Sequence, residues 1–495
     1  MGGRSGPTSR GTMDANQVRT AYLRLAEAHQ KKPYPSAAER IDRLERLERV
    51  LSGRRQDFQR AIHQDFGGRA SQETDLADVL VTLDSVRDAR RHVESWMQRR
   101  PARPNTYFQP SRAVIEVLPK GVVGIISPWN YPVNLALAPL AAAFAAGNRA
   151  ILKPSELTPR TAALLGEALR DHFSADELAV LEGGPEVARA LTELPLDHLF
   201  FTGSTGVGRK VASAAANNLV PTTLELGGKS PALVEESYPI ARAAERIALG
   251  KAFNAGQTCI APDYVLVKKG SEVAFAEAFF ETLRGAYPNL LENPQYSSVV
   301  SDAHHQRLLA LAKDATERGA EVQSPLGALE NTAGTRRMAP ALVLGTTAEM
   351  RIMQEEIFGP LLPLRTYEHI DQALAEIAAR PHPLAFYYFD EDLSRADRVL
   401  ERTISGGATI NDTLVHFAQE ELPFGGVGQS GMGAYHGQAG FLAFSHTRGV
   451  FVASPYSPAR RLLSPPYGRI LERVLDVMIA GILPTVGAVR RALRR

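Results

Sequence analysis

The 495-residue chain holds one cysteine, Cys259, and two tryptophans. A lone cysteine cannot close an internal disulfide, which excludes the stapled framework of a small secreted protein; a reducing, cytoplasmic setting is expected. Neither sign of charge is in excess, with 56 Lys and Arg against 54 Asp and Glu, a net of +2. That balance argues against nucleic acid as a partner. The longest apolar stretch near the C-terminus, Val474 to Val489, is interrupted by Asp476, Gly481, Pro484 and Gly487. It falls short of the roughly 20 residues that span a bilayer. The N-terminal MGGRSGPTSRGT lacks the apolar core of a signal peptide, and residues 1–13 read as a disordered tail. Twelve histidines are scattered, and their one adjacent pair, His304–His305, is expected on a solvated helix. No Cys/His cluster has zinc spacing, so no metal site is expected.

What is present, 44% hydrophobic and 22% charged residues, is the composition of a globular protein of two to four domains. Val18–His29 and a longer segment opening at Pro35–Ser36 carry helical periodicity, with Ile41, Leu44, Leu47 and Leu51 on one face of the second. From Ala113 the pattern changes to short β-branched runs alternating with helical stretches. Strands are expected at 121–126, 150–152, 198–201, 231–234 and 264–267. Helices are expected at 133–146, 159–173, from Val207, at 241–254 and at 273–283. This alternation argues an α/β fold built on parallel sheets covered on both faces, with a second α/β domain beginning near Leu226 and a cleft at the join. Two β-like segments, Tyr107–Leu118 and Gly449–Ala453, can pair outside the main sheets, as an oligomer contact would. From Ser457 onward eight arginines face two acids, Glu472 and Asp476.

Several segments carry residues suited to chemistry at strand ends. Cys259 closes Asn-Ala-Gly-Gln-Thr-Cys, a small polar loop, whereas an inert core cysteine would have aliphatic neighbours. Glu225 precedes Leu226-Gly227-Gly228-Lys229. It is either a salt-bridge partner of Lys229 or a carboxylate able to deprotonate water or a thiol. Pro128-Trp129-Asn130-Tyr131-Pro132 is either a rigid aromatic turn or a site where the Asn130 amide donates to an oxyanion. Lys153-Pro154-Ser155-Glu156 offers a cation and an acid to ribose hydroxyls. Thr202-Gly203-Ser204-Thr205-Gly206-Val207-Gly208 joins a strand to a helix whose N-terminus suits a pyrophosphate. Glu355-Glu356-Ile357-Phe358-Gly359-Pro360 can equally be a turn with an ordinary core Phe.

Taken together and in order, PWNYP, KPSE, FTGST, ELGGKSP, GQTC and EEIFGP resemble the aldehyde dehydrogenase superfamily across nearly the whole chain, Asn16 to Ser454. Asn411–His416 and Pro423–Gly437 are similar to its class 3 branch of aryl and fatty aldehyde enzymes. Gln419–Pro423 and Pro465–Arg469 look most like bacterial coniferyl aldehyde dehydrogenases.

The resemblance implies a Rossmann-like NAD(P)-binding domain at 14–225, with 104–118 contributing to an oligomerisation hairpin. It also implies a catalytic domain at 226–440, an oligomerisation segment at 441–456 and a basic extension at 457–495. Cys259 would be the nucleophile, Asn130 the oxyanion donor together with the Cys259 N–H, and Glu225 the base that activates water on a thioester. Glu356 and Phe358 would lie at the nicotinamide end, Lys153 and Glu156 at the adenine ribose, and Gly203, Ser204 and Gly208 near the pyrophosphate, with Trp129 a further cofactor-binding residue. Tyr131 and His416 would line the substrate tunnel. NAD is the expected cofactor, with NADP kept open by Gly206. The expected partners are an aldehyde and a second copy of the chain. The basic extension is read as a helix over the substrate entrance in preference to a contact with an anionic membrane surface. Two rival chemistries and one non-catalytic reading stand beside aldehyde oxidation. CoA-acylation would do without Glu225, a cofactor-free Cys hydrolase would need a paired His, and a scaffold would be expected to lose Cys259, Glu225 or Asn130.

Overall fold

The computed structural model describes residues 14–326, 336–457 and 464–480; the expected tail 1–13 and much of the basic extension lie outside them. The chain divides into two compact units, residues 1–93 with 119–444, and residues 94–118 with 445–495.

The first unit holds two sheets. Strands Val122–Ile126, Arg149–Lys153 and His198–Thr202 are buried along their full length, as a sheet covered on both faces requires. Each fully buried Ile, Leu or Phe in them contributes about 1.5–3 kcal/mol. The spatial order runs 431–432, 222–225, 198–202, 122–126, 149–153, 178–180, all parallel except the short first strand. Consecutive strands therefore move outward from 122–126 to one side, and the chain then returns to build the other side. This is the doubly wound arrangement, and its switch point lies between 122–126 and 198–202. The second sheet orders seven strands as 321–323, 341–344, 361–367, 264–268, 231–234, 385–389, 407–410, with only the first pairing antiparallel. Residues 226–230 lead from the last parallel strand of the first sheet to the first strand of the second, and both sheets lie within this one unit.

The helices start where their caps dictate. Ser36 and Glu39 form a reciprocal capping box at Ala37–Gly53. The helix expected from Val207 begins instead at Thr205, because the Ser204 hydroxyl accepts the Val207 N–H at 3.4 Å and caps it. The helix expected to run to Asn254 stops at Ala252 and passes into a tight turn at Phe253–Gly256.

In the second unit, Arg112–Pro119 pairs with Arg100–Ala102 on one side and is bordered by Ser445–Val452 on the other. The segment read as β-like from Tyr107 starts as a helical turn, Thr106–Phe108; Pro110 has no N–H to give a ladder, so the strand begins beyond it. Glu116 lies between Arg99 and Arg448, at 2.6 Å from each. The helix Arg469–Ile479 buries none of its residues. Among the described residues, no helix is long and apolar enough to cross a membrane.

Candidate active site

A cavity of about 770 Å³ opens at the switch point, beyond the carboxyl ends of the strands. Pro128, Trp129 and Asn130 follow one flanking strand into it, and Gly203 and Ser204 follow the other. Glu225, Gly227 and Gly228 line it from the end of the next strand, and Cys259, Glu356 and Phe358 come from the second half of the chain. A second cavity of about 390 Å³, walled largely by apolar residues with Tyr131, Phe253 and Phe417 among them, also reaches Cys259. The cysteine thus sits where a polar cavity and an apolar one meet.

The Cys259 loop is held by its backbone. Asn254, Ala255 and Gly256 all have φ near +50 to +70°. This run of left-handed residues reverses the chain after the helix, and small or Asx-type residues take such a conformation at least cost. At Gly256 a Cβ would run into the Gly359 carbonyl. Gln257 fastens the loop from the other side: its amide donates to the Asn254 and Ser298 carbonyls at 2.9 and 3.0 Å, and its oxygen accepts the Val300 N–H at 2.9 Å.

Asn130 is buried, and its Nδ2 donates to the Gln257 carbonyl at 3.2 Å, which places the amide beside the cysteine loop with its second hydrogen still to give. Its own carbonyl accepts from Arg69 at 3.0 Å and from Asn254 Nδ2 at 3.1 Å. Arg69 is wholly buried between the rings of Phe66 and Tyr131, 3.1 Å from Asp78. Asp78 accepts the Val133 and Asn134 N–H groups at 3.0 Å, and Glu73 accepts the Asn254 N–H at 3.1 Å. Asp78 reaches inward from a widened π-helical turn, Asp75–Leu80.

The electrostatics keep protons on. Neither oxygen of the Glu225 carboxylate has a hydrogen-bond partner, and burial pushes its pKa well above the carboxylate range. Burial, then the nearby Glu356 and Glu225 charges, push the Cys259 thiol up. Burial and Asp263 raise Glu356 to about 8, although the Gly228 N–H donates to it. The Glu356 carboxylate lies against Gly227, where a Cβ would collide with it. Trp129 stands edge-on to Phe358 at 5.4 Å and to His304 at 4.9 Å between centroids, and Phe358 itself has φ +50°.

With this geometry in place, comparison with known proteins is decisive: the family model described as "Aldehyde dehydrogenase family" matches residues 9–450. The chain belongs to the aldehyde dehydrogenase family. It is 45% identical over 462 residues to a protein described as a probable coniferyl aldehyde dehydrogenase from Pseudomonas aeruginosa, covering 93% of this chain and 96% of that one. It is 43% identical to a coniferyl aldehyde dehydrogenase from Pseudomonas sp. strain HR199, covering 94% and 97%. Among solved structures it is similar to the substrate-bound state of Staphylococcus aureus AldH, with TM-score 0.88, 37% identity and coverage of 93% and 99%.

In this aldehyde dehydrogenase, Cys259, Glu225, Asn130, Trp129, Gly203, Ser204, Glu356 and Phe358 share one cavity, and Tyr131 lines the other. Four expected residues stand outside both linings. Lys153 is buried and donates to Glu156 at 2.5 Å at the end of the strand beyond Ile126. Gly208 meets the Leu226 side chain, so it serves helix packing. The His416 ring is turned away from the apolar cavity, bonded to Thr409 at 2.8 Å and stacked on Phe424. Burial lowers its pKa to about 4, which keeps it neutral.

Two expectations need correction. Lys229 does not bridge to Glu225; it pairs with Asp263 and donates to the Ile352 and Glu355 carbonyls, while Asp263 accepts the Ile357 N–H, so the pair pins the Glu356 loop. The His304–His305 helix is not simply solvated, since His305 is buried and His304 lines the polar cavity. Arg69, Glu73 and Asp78 are not singled out by the sequence, because acids and bases spaced along helical sequence look like a solvated face until the topology brings them together; Asn254 and Gln257 stand in the Cys259 segment, but their roles in holding the loop do not show there.

Proposed function

We propose that this aldehyde dehydrogenase oxidises an aromatic aldehyde of the coniferaldehyde kind to the free acid by way of a thioester on Cys259. The observation that carries the reading is Cys259 at the meeting of the two cavities. The apolar one can take the body of the aldehyde while the polar one brings Glu225, Asn130 and Glu356 to its carbonyl end.

Cys259 gives up its proton and its sulfur adds to the aldehyde carbon, forming a thiohemiacetal. Its raised pKa means that the thiol rests protonated, so its proton passes to water in the open cavity as the sulfur adds; Glu225, a buried carboxylate of the same cavity, acts in the later step. The second Nδ2 hydrogen of Asn130 and the Cys259 N–H stabilise the oxyanion, a contribution of about 3–4 kcal/mol per donor in comparable sites. After the carbon is oxidised, Glu225 takes a proton from water, which attacks the thioester and releases the carboxylic acid and the thiol.

The polar cavity suits a nicotinamide dinucleotide. It lies at the switch point of a doubly wound sheet, it meets the Ser204-capped helix Thr205–Ala216, and it presents a half-buried Glu356 carboxylate. Gly203 and Ser204 would lie by the pyrophosphate, Glu356, Phe358 and Trp129 at the nicotinamide riboside, and Lys153 and Glu156 at the adenine ribose. When bound, the nicotinamide accepts the hydride that leaves the substrate carbon. An acid beside the 2′-hydroxyl favours NAD, and Gly206 leaves NADP usable. The active form is a homodimer, with the exposed edge strand Ser445–Val452 available for pairing.

The test is NAD(P)H formation with coniferaldehyde, benzaldehyde and a long-chain aldehyde, each with NAD and with NADP. The expected result is faster turnover of coniferaldehyde with NAD; preference for the long chain would move the enzyme to fatty aldehydes.

A further inference from the structure

Among the described residues lining the apolar cavity, only Arg246 and Asp412 are charged. Arg246 is half-exposed and Asp412 one-third exposed, with the guanidinium 3.8 Å from the carboxylate, so the pair stands at the solvent end of the cavity. An exposed pair of this kind adds little to stability, and at 3.8 Å the two charges attract without forming a hydrogen bond.

They are nevertheless held in place. The Thr413 hydroxyl donates to the Arg246 carbonyl at 3.1 Å, and the Thr413 N–H donates to Asp412 Oδ1 at 2.8 Å, which leaves Oδ2 towards the guanidinium. Thr413 presses so closely on the helix that a Cβ at Gly250 would strike its hydroxyl. On either side of Asp412 and Thr413, Asn411 and Leu414 hold φ +64° and +67°. A donor fork and an acceptor are thus set at a spacing one oxygen atom can bridge, at the far end of a cavity whose other end is Cys259.

We infer that Arg246 and Asp412 are specificity-determining residues that read a hydroxyl at the distal end of an aromatic aldehyde. The hydroxyl donates to the Asp412 carboxylate and accepts from the Arg246 guanidinium. Phe253, Phe417 and Tyr131 supply ring surfaces for the body of such a substrate. The inference rests on the proposed placement of the aldehyde in this cavity. It adds that the enzyme selects for a polar group remote from the reacting carbon.

The experiment compares kcat/KM for 4-hydroxycinnamaldehyde and cinnamaldehyde in the full-length wild type, in Arg246→Met and in Asp412→Asn. One charge-assisted hydrogen bond at a partly exposed rim predicts a wild-type preference of roughly tenfold for the hydroxylated aldehyde. In each variant that ratio is expected to fall to within about twofold. Equal turnover of both aldehydes by the wild type, or a ratio undiminished in both variants, overturns the specificity pair and leaves the proposed function standing. Turnover of neither aldehyde, with a long-chain aldehyde still oxidised, overturns the placement of aromatic substrates and the pair with it.

Discussion

Glu225 has a cost in the folded protein that its neighbours do not repay. Its carboxylate is buried and unpartnered, and its pKa is raised above the value it has in the unfolded chain. The native state therefore binds the proton more tightly, and stability falls as pH rises from the ordinary carboxylate range through the raised native pKa. Replacing the residue with an uncharged isostere removes that loss. Glu225→Gln is expected to melt at a higher temperature than the wild type at pH 8, with the gap closing towards pH 4; equal melting temperatures at pH 8 would contradict it. The same proton governs activity, because a base must be charged. Turnover should rise with pH along a limb well above the ordinary carboxylate range, and a wild-type rate that is flat across that range would contradict it. At this scale residue type was enough to single out Cys259, Glu225 and Asn130 as candidates, and the fold brings the three into one cavity. Arg69 was not legible, because nothing in Gly68-Arg69-Ala70 distinguishes a buried guanidinium from a surface one.

Between residue and fold, two local elements hold the reacting groups. The turn Phe253–Gly256 aims Cys259, and its left-handed run leaves Gly256 no room for a side chain. Gly256→Ala combines a positive φ with a clash against backbone; a loss of about 2 kcal/mol or more is expected in urea unfolding, together with loss of turnover. The second element is the widened turn Asp75–Leu80, which turns Asp78 towards Arg69 and so towards the Asn130 carbonyl. Arg69→Met would leave Glu73 and Asp78 buried without their cation. That change should cost about 3–5 kcal/mol, and denaturation at an unchanged midpoint would rule the network out as a support. Neither element was visible beforehand. Helical periodicity predicts where a helix lies, whereas a π-turn or a left-handed run is imposed by contacts distant in sequence.

Across the whole molecule, the alternation of strand and helix was enough to predict parallel sheets, since fully buried strands read as continuous apolar runs. It did not predict that Gly431–Met432 returns to edge the first sheet beside Glu225, a pairing too short to leave a pattern. The second unit exposes Phe451 and Val452 on its edge strand. Sedimentation is expected to give about twice the chain mass of 53.8 kDa, with Val452→Lys shifting the enzyme towards the monomer.

All three scales converge on one claim, that Cys259 carries the acyl group and Glu225 releases it. Rapid mixing of Glu225→Gln with NAD and coniferaldehyde, followed by mass spectrometry of the intact chain, tests it most directly. One burst of about one NADH per site is expected, then a stall with the acyl group on Cys259. Steady turnover at the wild-type rate, with no acylated enzyme, would contradict it.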